Sequence, residues 1–132
     1  MKKQFEEFLK SPWALEVWSE EEIIFKSKES GVKGLLDFIK EQGREHKDLV
    51  IFDRIIGQGA ALLAVYLKAK VVYGQTGSQL AVKCLEKYQI EFYFQETVAN
   101  ILNRNKTDLC PLEKLSFDKC PEDFYNSLRK LS

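Results

Sequence analysis

The N-terminal part of the chain combines a short helical pattern with two strand-like runs. Residues 2–9 place Phe5 and Leu9 on one face of a short helix. Trp13–Trp18 and Glu22–Lys26 follow, rich in apolar and aromatic residues and separated by an acidic turn. Two such runs joined by a short turn predict an antiparallel hairpin.

The remainder alternates between helix-like and strand-like segments. An amphipathic helix is predicted from Gly31 to about Glu45, with Ser30 as its N-cap. Three strand-like runs follow at 49–52, 70–73 and 90–94, with helical segments at 57–66 and 78–88, one or two helical turns at 98–102, and Pro-initiated helices near 111 and 121. Strands alternating with helices indicate an α/β fold, in which crossover helices make the later strands parallel.

The length of the chain indicates one domain, and its charge balance argues against two classes of partner. The chain has 132 residues, about the size of one domain, so residues 1–132 are expected to form a single unit. Lys plus Arg number 20, as do Asp plus Glu. This balance argues against general nucleic-acid binding and against a membrane surface, because both partners usually select a basic face.

The sequence favours a cytoplasmic location. Met1–Lys10 is charged throughout and lacks the apolar core of a secretory signal. The longest apolar run, Ala60–Leu67, is far shorter than the roughly 20 residues that cross a bilayer. The three cysteines, Cys84, Cys110 and Cys120, leave an odd thiol in any disulfide scheme, which fits a reducing compartment.

Several short motifs carry a resemblance to a known family. They are Ser30-Gly31-Val32, Asp53–Ala61, Glu86–Ile90, Asn103-Arg104-Asn105 and Cys110–Glu113. Their order and spacing resemble those of an uncharacterised prokaryotic family of unknown function that is assigned a cytidine-deaminase-like fold. The resemblance implies a three-layer α/β/α sandwich with a mixed sheet and an N-terminal antiparallel hairpin, and it implies no particular activity. The sequence departs from the family pattern at Gly34, where proline is expected.

The same resemblance predicts that the zinc chemistry of deaminases is missing. A zinc deaminase needs a His or Cys with a catalytic Glu at the helix after the hairpin, and a Pro-Cys-x-x-Cys at the next helix. The two corresponding places read Lys28-Glu29-Ser30-Gly31 and Asp53-Arg54-Ile55-Ile56-Gly57-Gln58, without thiol or imidazole. We therefore expect no metal, no cofactor and no zinc-dependent deamination.

The first candidate site is the glycine-rich segment after the strand at 49–52. We expect the strand to end, an acid to follow and a turn to open a buried helix, whose free N–H groups favour an anion. This predicts that Asp53, Gly57, Gln58, Gly59 and Ser30 bind a nucleotide-like or other anionic small molecule. Alternatively, the small residues only allow tight packing between helix and sheet.

The second candidate site is the Cys110-Pro111-Leu112-Glu113 motif. A thiol at a helix start has a lowered pKa and can act as a nucleophile, and Arg104 would strengthen that effect or bind an anion. Glu113 would serve as an acid–base partner, although no His lies nearby as the usual base. Alternatively, Glu113 caps its own helix.

Three functional hypotheses follow from these residues. The first is a small-molecule-binding domain, and the second is a metal-independent enzyme that uses Asp53, Cys110 and Glu113. The third is an interaction protein that forms a homo-oligomer or binds a partner through Trp13, Trp18 or the hairpin edge. The sequence leaves open whether the two candidate sites share one pocket.

Overall fold

A computed structural model describes residues 1–101 and 111–131 of the chain. Within these residues it contains six helices and five strands. In chain order they are α1 (Lys2–Leu9), β1 (Leu15–Ser19), β2 (Glu22–Ser27), α2 (Gly31–Gln42), β3 (Leu49–Ile56), α3 (Gln58–Tyr66), β4 (Val71–Ser78), α4 (Gln79–Lys87), β5 (Glu91–Val98), α5 (Pro111–Leu115) and α6 (Pro121–Leu131).

The strands form one mixed sheet in the order β2-β1-β3-β4-β5. Strand β1 pairs antiparallel with both β2 and β3, whereas β3, β4 and β5 are parallel to one another. The predicted N-terminal hairpin, the α/β class and the parallel pairing of the later strands are therefore confirmed.

The main core lies on one face of the sheet, beneath α2, α3, α4 and α6. Alternate strand residues point to this face, among them Leu15 and Val17 of β1 and Leu49 and Ile51 of β3. Helix α3 is apolar on nearly all sides because it lies between the sheet and α6, and its residues 59–64 are buried. This confirms the prediction of a buried helix there.

Among the described elements, α1 covers the opposite face of the sheet. Phe5 and Phe8 pack against Phe52 of β3, with ring centroids 5.3 and 5.7 Å away. Trp18 contacts the same Phe52 ring from β1 at 5.8 Å. The aromatic side chains of α1 therefore complete a second, smaller core.

Arg54 anchors the end of α1 to the sheet. Its guanidinium donates to the carbonyl oxygens of Ser11 at 2.8 Å and Trp13 at 2.9 Å, and also to those of Phe8 and Leu9. The last carbonyl groups of a helix have no partner within the helix. Arg54 supplies those partners and thereby fixes α1 across the small core.

Strand β3 is longer than predicted, and this changes the position of Asp53. Pairing with β4 continues as far as Ile56, opposite Gly77. Asp53 therefore lies within β3 instead of following it, and only Gly57 separates the strand from α3. The expected glycine-rich turn was wrong because the strand-pairing partner lies far away in sequence.

Two other boundaries also differ from expectation. Helix α2 ends at Gln42 because Gly43 adopts a left-handed conformation, with φ of +73°. Val98 was expected to begin a helical turn, but it is the last residue of β5, where it pairs with Ser78 of β4.

Candidate ligand-binding site

A cavity of about 240 Å³ opens where α2 and α3 begin, beside the carboxyl end of β3. Three glycines and four apolar side chains form most of its wall, namely Gly31, Gly57, Gly59, Val32, Ile55, Ala60 and Ile101. The polar residues of the wall are Ser30, Lys33 and Glu113. Ligands commonly bind at this position in α/β sheets, outside the carboxyl ends of the strands.

Asp53 lies fully buried behind this wall and caps α2. Both carboxylate oxygens accept from the Gly31 N–H, at 3.1 and 2.9 Å, and one oxygen is also 3.4 Å from the Ile55 N–H. Ser30 is the N-cap residue, as predicted, but its side chain makes no capping hydrogen bond. The cap therefore comes from a strand 22 positions away.

Burial also changes the titration of Asp53. Removal from water raises the pKa of Asp53 from 3.8 to about 8, although the N–H groups of Gly31, Ile55 and Arg54 oppose the shift. Asp53 does not line the cavity. It acts on the cavity indirectly, because it fixes Gly31, which does line it.

Glu113 caps the start of α3. Its Oε1 accepts from the Gln58 N–H at 2.5 Å, and the residue is only 3% exposed. A Cβ atom on Gly57 would lie 2.8 Å from the carboxylate, so glycine is required for this close approach. The Glu113 carboxylate thus caps α3, whereas the alternative in which it caps its own helix involves Cys110, which lies outside the described residues.

The second oxygen of Glu113, Oε2, is buried and has no hydrogen-bond partner among the described residues. Burial raises the pKa of Glu113, which the N–H groups of Gln58, Gly59 and Ile101 and the Ser78 hydroxyl oppose. Apart from Gln58, which bonds to Oε1, these groups lie near the carboxylate without good hydrogen-bond geometry to Oε2. Glu113 therefore lines the cavity as a residue, while its Oε2 atom lies beneath the accessible surface.

Helix α5 is tied to the start of α3 by a second contact. The Ser116 hydroxyl lies 3.1 Å from Gln58 Oε1 and 2.5 Å from the Glu113 carbonyl oxygen. The Gln58 side chain consequently points toward α5, and it does not line the cavity. These contacts hold the Glu113 carboxylate over the helix start.

The two helix starts at the cavity are thus both occupied by carboxylates of the chain itself. Helix N-termini attract negative charge because their first N–H groups are unpaired. Asp53 supplies a hydrogen-bond acceptor at α2, and Glu113 supplies one at α3. An external anion would find these N–H groups already bonded at the place where the sequence predicted an anion site.

A sequence model of the TM1506 family, a domain of unknown function called DUF1893, matches residues 5–130. The chain belongs to the DUF1893 family. The crystal structure of a DUF1893 protein, TM1506 from Thermotoga maritima, is similar, with a TM-score of 0.89 and 23% identity over 99% of this chain and 88% of that chain. No curated protein matched the chain. The predicted membership of a family of unknown function is confirmed, and the likeness establishes the fold.

The structure of this chain brings together residues from both predicted sites. Ser30, Gly57, Gly59 and Glu113 line one cavity. The family match does not test the binding and catalytic roles predicted for these residues, so the roles stay predictions. Two other predicted residues, Arg104 and Cys110, lie outside the described residues.

Gly59 lines the cavity and also allows α3 to pack closely against α2 and α6. A Cβ atom there would lie 2.8 Å from Phe124 of α6 and from Val32 of α2. The packing interpretation is therefore sufficient for the side chain of Gly59, while its backbone still faces the cavity. Substitution of Gly59 would disturb the core of this DUF1893 domain as well as any bound molecule.

Sequence reasoning missed Lys33, a cationic residue in the described part of the cavity wall. Lys33 occupies the first turn of α2, where a positive charge opposes the helix dipole. Its ammonium lies 3.4 Å from Glu29 in an exposed pair. The unfavourable placement of a lysine in a first helical turn was a signal that could have identified it.

The aromatic residues proposed as partner anchors are partly engaged within the chain. Trp13 is half-buried beneath the ammonium groups of Lys26 and Lys28, at 5.4 and 5.7 Å. Trp18 donates from its indole to Glu16 at 3.2 Å. The largest exposure of an aromatic ring among the described residues is that of Tyr93 on β5, at 53%.

Residues 1–101 and 111–131 contain neither a metal-binding cluster nor a membrane-spanning helix. Within them, no group of three or more His, Cys, Asp and Glu side chains is placed to hold a metal ion. No helix in this part of the DUF1893 chain is long and apolar enough to cross a membrane. Cys84 is buried in the core, as predicted, and burial raises its pKa to about 11.

Proposed function

We propose that this domain binds a small molecule in the cavity between the starts of α2 and α3. The observation that carries the proposal is the cavity itself, whose wall brings together Ser30, Gly57, Gly59 and the buried carboxyl side chain of Glu113. It lies outside the carboxyl end of β3, where ligands commonly bind in α/β sheets. The mostly apolar wall adds the desolvated surroundings typical of ligand sites.

A nucleotide-like molecule fits the distribution of charge. The cavity of about 240 Å³ is below the range of about 300–1,000 Å³ typical of drug-sized ligands, so it suits a base-sized part of such a molecule. Both helix starts already hold carboxylates, which leaves Lys33 as the cationic group of the wall for a phosphate. Arg104, which lies outside the described residues, is a further candidate for binding the phosphate.

We also propose that the fold is cytidine-deaminase-like. The strand order β2-β1-β3-β4-β5, the antiparallel hairpin and the parallel pairing of the last three strands support this assignment. The proposal includes a single domain over residues 1–132 and a cytoplasmic setting, which the free thiols of Cys84 and Cys120 favour. It invokes no zinc, because the starts of α2 and α3 carry no thiol or imidazole.

The alternative proposal is a metal-independent enzyme, and Glu113 is the residue that favours it. A carboxyl group in a cavity with a raised pKa is suited to general acid–base work. Asp53 lies behind the wall, so its role would be to position Gly31. Cys110 would supply the nucleophile in this proposal.

The third proposal, that the protein forms a homo-oligomer or binds a partner, rests on the exposed aromatic surface beside α1. Tyr93 lies 5.2 Å from Tyr73, and the two rings border a depression of about 460 Å³ together with Phe5. Exposed aromatic side chains are frequent anchors of interfaces. A sizing column would test this proposal, and a monomer at all concentrations would count against a homo-oligomer.

Binding of nucleotides can be tested on the whole chain by ¹H–¹⁵N NMR. Adenosine, cytidine and their 5′-monophosphates should shift the amides of Gly31 and Gly57, and the monophosphates should bind more tightly. Lys33→Ala should remove the advantage of the monophosphates. Lys40→Ala, an exposed lysine on the same helix, should leave it unchanged. Absence of any shift at the cavity amides would refute nucleotide binding there.

A further inference from the structure

The two edges of the sheet differ in how well they are protected against pairing with another chain. At one edge, the pairing of β2 with β1 shifts register between Val17 and Trp18, and the Ile24 carbonyl oxygen of β2 already accepts from the Gln42 side chain at 2.7 Å. Bulges and occupied backbone groups of this kind hinder edge pairing. At the other edge, β5 keeps one register with β4 along Glu91–Val98, and among the described residues its outer side has no strand partner.

The composition of β5 also allows pairing. Its sequence, Glu-Phe-Tyr-Phe-Gln-Glu-Thr-Val, contains aromatic and β-branched residues but no lysine, arginine, proline or glycine. Lysine and proline are the residues that commonly block edge strands, whereas aromatic and β-branched residues favour strand pairing. Glu91 and Glu96 are the charged residues of β5, and the whole chain has a formal net charge of +0. Net charge therefore does not keep two copies of the chain apart.

A row of aromatic rings on the α1 face of the sheet leads to this outer edge of β5. The ring of Phe5 in α1 lies 5.3 Å from that of Tyr73 in β4, and the Tyr73 ring lies 5.2 Å from that of Tyr93 in β5. Tyr93 is the last ring of the row among the described residues, and it is 53% exposed. Tyrosine side chains are frequent anchors of interfaces. The row would continue if a further aromatic side chain lay beyond the edge.

We infer that a second copy of this chain pairs with the outer edge of β5, antiparallel and about a two-fold axis at Phe94. The inference rests on the proposed interaction surface beside α1 and names its occupant. Two-fold symmetry is the commonest arrangement of homodimers, and both copies then use the same surface. A two-fold axis perpendicular to the sheet makes the two β5 strands antiparallel, and the two five-stranded sheets join into one.

The register follows from the side chains of β5. Directly opposite residues of antiparallel strands lie on the same face of the sheet, so the axis passes through a residue and not between two residues. An axis at Phe94 places Tyr93 opposite Gln95 of the second copy. The two Tyr93 side chains then become diagonal neighbours at about 7–8 Å, and the aromatic rows of the two copies meet. The same axis places Glu91 opposite the hydroxyl group of Thr97 instead of another carboxylate.

Analytical ultracentrifugation and ¹H–¹⁵N NMR on the full wild-type chain test for this dimer. The mass should rise from one chain toward two between about 1 and 500 µM, the range expected of a small interface. The amide signals of Tyr93, Gln95 and Thr97 should shift over the same range, while those of Ile23 and Phe25 in β2 should not. A dimer without shifts in β5 overturns the inference but leaves a homo-oligomer established. A monomer at every concentration refutes both the inference and the proposed homo-oligomer.

A charge swap tests the axis at Phe94. Thr97→Glu should weaken the dimer about threefold or more, because each introduced carboxylate faces Glu91 of the second copy. Adding Glu91→Lys to the same chain should restore the affinity, since both cross-strand pairs then carry opposite charges. Positions 91 and 97 are separated by about 20 Å along one strand, so this rescue requires contact between two chains.

Asn126→Glu is the matched control for the added charge. It places a carboxylate at an exposed position of α6, which packs against α3 and not against β5, and it should leave the dimer unchanged. If Thr97→Glu and Asn126→Glu weaken the dimer equally, a general effect of charge explains the loss and the inference is overturned. Failure of Glu91→Lys to rescue Thr97→Glu would likewise overturn the axis at Phe94.

Discussion

The Oε1 atom of Glu113 accepts a hydrogen bond from the Gln58 N–H, although 55 positions separate the two residues. Asp53 makes the equivalent contact with the Gly31 N–H across 22 positions. Both helices that open onto the cavity are therefore capped by carboxylates from distant parts of the chain. The same two hydrogen bonds stabilise α2 and α3 and hold the starts of these helices at the cavity.

Loss of the Glu113 cap should destabilise the domain. Glu113→Ala removes the acceptor of the Gln58 N–H, and the loss of a helix cap costs about 0.5–2 kcal/mol. Glu113→Gln should be milder because its amide oxygen retains the cap. Urea unfolding followed by circular dichroism measures both. A glutamine variant at least as unstable as the alanine variant would contradict the assigned role of Oε1.

Gly57 and Glu113 should be energetically coupled. In Gly57→Ala the new methyl group would lie 2.8 Å from the carboxylate, and crowding of this kind costs about 1–3 kcal/mol. The clash disappears when Glu113 is also alanine. A double-mutant cycle should therefore show Gly57→Ala to be less harmful in the Glu113→Ala background. Additive effects would show that the carboxylate does not determine the need for glycine.

The contacts at the cavity explain which features the sequence could predict. The hairpin and the buried α3 follow from local patterns of apolar residues, and both were predicted. Asp53 was placed after its strand because the pairing of β3 with β4 depends on residues 21 or more positions away. The contact between Glu113 and Gln58 was not predicted for the same reason, since nothing local reveals it.

The cavity itself was only partly predictable. The segment at Gly57–Gly59 and the carboxylate of Glu113 were both identified as candidates, yet spacing along the chain does not show that they meet. Ile55 and Ile101 carry no chemical signal of their own, so their place in the wall depends entirely on tertiary packing. Local sequence patterns therefore identified some residues of the cavity wall, but not that the two segments meet or which apolar residues surround them.

Arg54 should control the attachment of α1. Arg54→Ala removes the donors to the carbonyl groups of Ser11 and Trp13 and should destabilise the domain by about 1–3 kcal/mol. Arg54→Lys should rescue little, because a single ammonium cannot reproduce the guanidinium fork. Hydrogen exchange should accelerate in α1 more than in α3. Equal acceleration in both helices would contradict a local anchoring role.

Asp53 should make the domain less stable as pH rises. Its pKa is about 8 in the folded chain and 3.8 as its ordinary value, so between these values the folded state holds a proton that the unfolded state has lost. The contribution of Asp53 to stability is therefore greatest below pH 4. It falls as pH rises, until Asp53 ionises in the folded chain near pH 8. Glu113, whose pKa burial also raises, adds a slope of the same sign.

Asp53→Asn isolates this contribution because asparagine does not ionise and its side-chain oxygen can still accept from the Gly31 N–H. The difference in unfolding free energy between Asp53→Asn and the wild-type chain should grow in favour of the variant from pH 4 to 8, by up to about 1.4 kcal/mol per pH unit. Urea unfolding at several pH values measures this difference. Parallel pH profiles would show that Asp53 ionises at its ordinary pKa in the folded chain, and a difference of opposite sign would show that the carboxylate stabilises α2 in its charged form.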